Sequence, residues 1–146
     1  METEVFAYGR LPLAFSARCF TARHFNLQKD DCQFKCIEFP DGLLIRTREQ
    51  EEFLTLNGIQ TQSSKVYNLI GEVDALRELG VDVLRISPQW KHTPELLEIF
   101  RARIGGTLDV PAARSRMAGL ALAEPCNGFW YGKPGLDQIA ARADAR

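Results

Sequence analysis

The sequence has no apolar run long enough to span a membrane; its uncharged stretches are broken by Gly, Pro or Asn, so no transmembrane helix is expected. It also lacks a basic leader followed by an apolar core. Its first ten residues carry Glu2 and Glu4, which argues against a secretory signal and leads to the expectation of a cytoplasmic location. Charge of one sign is missing too: 18 Lys and Arg balance 19 Asp and Glu for a formal −1, with no basic block. A balanced chain has no electrostatic footprint for nucleic acid. Histidine is scarce, with only His24 and His92, too few to assemble a nucleophile–base–orienter set around Ser16. The four cysteines in 146 residues are not dense enough for a disulfide scaffold. Without an export signal they point to thiolate chemistry or metal binding.

What is present is a globular composition, 45% hydrophobic and 25% charged, at a length that suits one domain. Residues 4–8 read as a strand closed by Gly9, and residues 11–25 as a short helix with Pro12 in its first turn. A polar loop over 26–34 follows. Two short strands, 37–39 and 43–45, flank Pro40-Asp41-Gly42 as a hairpin, and residues 53–59 form a further strand bent near Asn57-Gly58. From 64 to 80 the period is helical: Val66, Leu69, Ile70, Val73, Leu76 and Leu79 make one stripe, Glu72 and Asp74 face out, and Gly80 caps the end. Residues 81–86 then read as a strand apolar on both faces. Thr93-Pro94-Glu95 opens a helix whose core face is Leu96, Leu97, Ile99, Phe100 and Ile104. Residues 112–123 suit a last helix. The order helix, buried strand, helix is βα-type and predicts an α/β fold with parallel strands. A whole (β/α)₈ barrel needs about 250 residues. The chain therefore reads as about half a barrel with a hairpin insertion, or as a small sheet covered by helices. As one domain it divides into a cysteine-bearing segment (1–36), hairpin and strand (37–60), helix–strand–helix (64–106) and a tail (107–146).

Cys19, Cys32 and Cys36 stand 13 and 4 positions apart, on segments that can converge. Iron–sulfur clusters take thiolates from several segments, and loops with tight spacing often supply two of them. Arg18, Arg23 and Lys35 would favour thiolates and an anionic group there, and Arg10, Arg18 and Arg23 are candidates to hold an anionic substrate. Two competing readings remain at this point, a structural zinc site and cysteines that are simply small buried hydrophobes. Cys126, in Pro125-Cys126-Asn127-Gly128, is either a further ligand or a packed thiol in a C-terminal strand.

Residues 8–23 (YGRLPLAFSARCFTAR), followed in order by Cys32 and Cys36, 56–61 (LNGIQT), 66–69 (VYNL), 81–88 (VDVLRISP) and 126–130 (CNGFW), resemble the collagenase-like peptidase family, peptidase family U32. The likeness is to its branch serving oxygen-independent ubiquinone biosynthesis, and to the C-terminal half of those longer chains. The resemblance implies half of a TIM-barrel-like fold and a four-iron four-sulfur cluster with Cys19, Cys32 and Cys36 as three of its ligands. It places the branch's other ligand in an N-terminal half, which makes a truncated chain the expectation here. It also implies a heterodimer with a sister protein, an aromatic ubiquinone precursor as substrate, and prephenate as hydroxyl donor. The alternatives are a collagenase-like peptidase, which the family's name suggests, and a non-catalytic scaffold for the sister subunit.

Overall fold

The computed structural model describes residues 1–140; the end of the expected tail segment, 141–146, lies outside them. The described chain is mixed α/β. In order it forms β1 (Glu4–Phe15), α1 (Phe20–His24), β2 (Leu43–Arg46), β3 (Glu52–Asn57), β4 (Gln60–Asn68), α2 (Val73–Glu78), β5 (Val83–Ile86), α3 (Thr93–Ile104), α4 (Val110–Ala118) and β6 (Pro125–Cys126). Short 3₁₀ turns occupy Lys29–Asp31, Lys35–Glu38, Ile70–Glu72 and Gly128–Tyr131. The strands make one six-stranded sheet of order β2-β3-β4-β1-β5, with β6 paired to β4.

The chain divides into two compact units, Arg10–Lys65 and a larger one made of Met1–Gly9 with the described residues from Val66 onward. In the larger unit β1 runs parallel to β5 and β4 parallel to β6, as βα connections require. Its core is apolar: Tyr8, Val66, Leu69, Ile70, Leu76, Leu96, Phe100 and Met117 are all buried. The amphipathic spacing of α3 turns Leu96, Ile99 and Phe100 inward, while Ile104 is exposed and Arg103 takes the expected apolar place. The Arg103 guanidinium donates to the Leu108 carbonyl at 3.2 Å and pairs with Asp74. Helix α3 ends at Gly105-Gly106 as expected. Helix α4 runs Val110–Ala118 rather than 112–123: it begins earlier because the Asp109 carboxylate accepts the Ala112 N–H at 2.8 Å and Pro111 sits in the first turn, and it ends earlier, at Gly119.

In the smaller unit β2, β3 and β4 form an antiparallel meander in the register Leu43↔Leu56 and Leu56↔Thr61. The hairpin lies one element later than the sequence suggests. Residues 37–38 belong to the 3₁₀ turn Lys35–Glu38 rather than to a strand, and Asp41-Gly42 closes a turn from that piece into β2. Asn57-Gly58 is not a bend within a strand but the start of the tight β3–β4 connection, with Gly58 at φ +58°.

Candidate functional site

All three predicted ligand cysteines lie in Arg10–Lys65, on successive short elements. Cys19 is the N-cap of α1, with an extended backbone and its Sγ accepting the Ala22 N–H at 3.5 Å. A sulfur there does the work usually given to a hydroxyl or carboxylate. The approach to α1 is fixed by the β3–β4 turn: Ser16 N–H donates to the Ile59 carbonyl at 2.8 Å, and Phe20 N–H to the Gly58 carbonyl at 2.7 Å. Cys32 closes the turn Lys29–Asp31, and its carbonyl accepts the Lys35 N–H at 3.2 Å. Cys36 lies within Lys35–Glu38, against which α1 packs. Phe25 stacks on Phe39 with ring centroids 5.5 Å apart, joining the elements that carry Cys19 and Cys36.

The three thiols are half-buried and outside any disulfide. Their chemistry fits an iron–sulfur cluster, which takes thiolates from turns of this kind. Among the described residues no three His, Cys, Asp or Glu side chains are gathered closely enough to hold one ion, so the thiols share a unit without forming a closed ligand set. Cys126 belongs to the larger unit and is fully buried in β6, as a packed strand thiol would be.

The basic residues divide by role. Arg10 is tied down: its Nη1 donates to the Ser63 carbonyl at 2.8 Å and to that of Ser64. Burial lowers its pKa, against the opposing charges of Glu52 and Asp41. Lys35 pairs with Glu38 at 2.5 Å and lies 5.5 Å from the Phe25 ring centre. Arg18 and Arg23, by contrast, are exposed on the wall of a cavity of about 530 Å³ beside Cys19. Asn26 and Gln28 line the same space. A cavity with two guanidinium groups and, among the described residues, no carboxylate on its wall suits an anion. Ser16 Oγ accepts the Arg18 N–H at 3.2 Å, and His24 packs edge-on to Phe25, so the two do not act as nucleophile and base in this arrangement.

One group was missed from the sequence. Glu72, expected to face solvent, is 4% exposed. Its Oε1 accepts from Asn127 Nδ2 at 3.2 Å and from the Tyr131 hydroxyl at 3.1 Å. The signal was there as a carboxylate inside Leu69-Ile70-Gly71-Glu72-Val73, where every other residue but glycine is apolar.

These features define an α/β protein whose smaller unit carries three thiols, one of them, Cys19, on the wall of a cationic cavity. Residues 1–104 match peptidase family U32, and the chain belongs to that family. The matched stretch takes in Cys19, Cys32 and Cys36 and stops short of α4 and Cys126. No solved structure matches the chain.

Proposed function

We propose that the chain is a UbiV-like iron–sulfur protein of oxygen-independent ubiquinone biosynthesis, built as the C-terminal half of a TIM-barrel-like fold. One observation carries the reading: three half-buried thiols outside any disulfide share a unit with almost no apolar core. Such a unit gains stability from a metal centre that crosslinks its turns. Cys19, Cys32 and Cys36 would hold a four-iron four-sulfur cluster, which supplies one-electron chemistry when bound. The chain's own contribution is to fix Cys19 through the β3–β4 turn and to present Arg18 and Arg23 to an anionic co-substrate, with prephenate the candidate hydroxyl donor. The acceptor is an aromatic ubiquinone precursor, the partner a UbiU-like sister subunit that forms a heterodimer, and the location cytoplasmic. Among the described residues no helix is long and apolar enough to cross a membrane.

Iron and acid-labile sulfide measured after anaerobic purification test the reading. About four irons per chain are expected, with marked loss in Cys19→Ala, Cys32→Ala and Cys36→Ala. Zinc in place of iron, or iron unchanged in all three variants, would sink it.

Family membership supports a second reading, peptidase activity. It predicts cleavage of a collagen-derived peptide that Ser16→Ala abolishes. The separation of Ser16 and His24 into different contacts makes it the weaker of the two.

A further inference from the structure

In the larger unit, the turn Ile70–Glu72, helix α4 and the stretch leading into β6 enclose a cavity of about 440 Å³. That volume is within the usual range of small-ligand sites. Ile70, Met117, Ala118, Ala121 and Ala123 give it apolar walls. Asn68 is committed to those walls, with its Oδ1 accepting the Ile70 N–H at 3.0 Å and its Nδ2 at 3.9 Å from Met117 Sδ.

Two charged side chains line the same space, Arg114 from α4 and Glu124 just before β6. Among the described residues no ion pair joins them and neither side chain makes a hydrogen bond, although the Arg114 charge also reaches the Tyr131 hydroxyl, where burial raises the pKa and Arg114 lowers it. The guanidinium has a place made for it. A Cβ on Gly71 would collide with Arg114 Nη2, so the absent side chain lets Arg114 lie against the turn. One cation and one anion held apart at an apolar cavity complement a ligand that carries both charges close to an apolar body.

We propose that this cavity binds a free α-amino acid with an apolar side chain. The ligand carboxylate pairs with the Arg114 guanidinium, whose planar fork suits a bidentate contact. The ammonium pairs with Glu124, and the side chain lies on Met117 and the alanines, where a flexible thioether adapts to its shape. The site lies apart from the cysteines and does not rest on the proposed cluster.

Methyl resonances of Ile70, Met117, Ala118 and Ala121 report occupancy directly. The chain is titrated with three probes: L-phenylalanine, 3-phenylpropionate, which lacks the amine, and 2-phenylethylamine, which lacks the carboxylate. Saturable shifts with L-phenylalanine are expected, with each one-charge analogue weaker by roughly tenfold, as for the loss of one charge-assisted contact. Arg114→Gln and Glu124→Gln, both at exposed positions, should each weaken L-phenylalanine by a similar factor. Gly71→Ala should also weaken it, because the new methyl displaces the guanidinium without removing a charge. Equal binding of L-phenylalanine and 3-phenylpropionate, or unchanged binding in Glu124→Gln, would overturn the proposal. So would the absence of saturable shifts with all three probes.

Discussion

Glu72 and Asn127 carry more of the larger unit than their place in the sequence suggests. Asn127 is fully buried; its Nδ2 donates to Glu72 and to the Ile139 carbonyl, and its Oδ1 accepts the Ile139 N–H at 2.7 Å. Asn127-Gly128 reads in the sequence as a turn, and a local reading stops there because the partners lie far away along the chain. Asn127→Ala leaves several buried groups unpaired and should cost about 2–4 kcal/mol of stability, measured by denaturant unfolding. Phe34 is the opposite case. It is 71% exposed and held at φ +49° next to Gln33 at φ +52°, between Cys32 and Cys36. A bulky side chain in the left-handed region costs about 1–2 kcal/mol. Phe34→Asn, which tolerates that region, should therefore stabilise the chain by up to about 1 kcal/mol. An unchanged or lowered unfolding midpoint would mean that the phenyl group makes contacts that outweigh the strain. The cysteines themselves were legible because their residue type and spacing are visible without any fold. Residues 1–36 also read as one cysteine-bearing segment; what the spacing could not give is that the unit holding them runs from Arg10 to Lys65 through the β2–β4 meander, since that depends on strand pairing.

At the scale of elements, β1 shows why local pattern misled. Residues 11–25 have helical spacing, yet the chain stays extended to Phe15. Pro12 disfavours the α region for Leu11, whose N–H goes instead to Ser63 Oγ at 2.9 Å. Only Phe20–His24 turns helical, once Cys19 caps it. Residues 64–80 divide in the same way. Ser64, Val66 and Tyr67 are buried as strand residues of β4, and Asn68 breaks the strand by accepting the Ile70 N–H. The helix starts at Val73, and Leu79, counted into the apolar stripe, is 70% exposed. Gly80 at φ +73° ends it where expected. Strand β5 is parallel as expected but lies at the edge of the sheet, with Arg85 exposed, rather than buried on both faces. Gly9 also differs from its expected role. It does not close β1 but lies within it at φ +124°, where an added Cβ would come within 2.5 Å of Ser87 Cβ. Gly9→Ala combines backbone strain with overpacking and should cost roughly 2–4 kcal/mol, read as a lowered unfolding midpoint. Gly58→Ala, at a turn with open space around it, should cost only about 1–2 kcal/mol.

At the scale of the whole molecule the two units differ in what holds them. All three tyrosines belong to the larger one, and burial raises each hydroxyl, Tyr8 to about 12, with the Glu72 charge adding to the rise at Tyr67 and Tyr131. A phenol raised in the folded state contributes stability that is complete below its unfolded value near pH 10 and lost as pH climbs through the folded one. Stability should therefore fall between about pH 10 and 12, by up to about 1.4 kcal/mol per pH unit for Tyr8. Tyr8→Phe should flatten that slope, with absorbance near 295 nm following the tyrosinates. The smaller unit has no comparable interior. Among the described residues Ala22 is its only buried apolar side chain; Thr21, Thr55, Ser63 and Ser64 fill the rest, while Phe15, Ile37 and Phe53 are exposed. Buried Arg10 Nε, Asp41 Oδ1 and Thr55 Oγ1 have no hydrogen-bond partner among the described residues. Hydroxyl burial supplies little of the roughly 25 cal/mol per Å² that apolar burial gives, so this unit is marginal by its own packing. If a cluster on Cys19, Cys32 and Cys36 staples it, amide hydrogen exchange should separate the units. In metal-free chain, residues 10–65 should exchange fast while α3 and β4 beyond Val66 stay protected, and anaerobic reconstitution should slow exchange in residues 10–65 alone. Equal protection of both units before iron is added would mean that the smaller one is held by something other than a cluster.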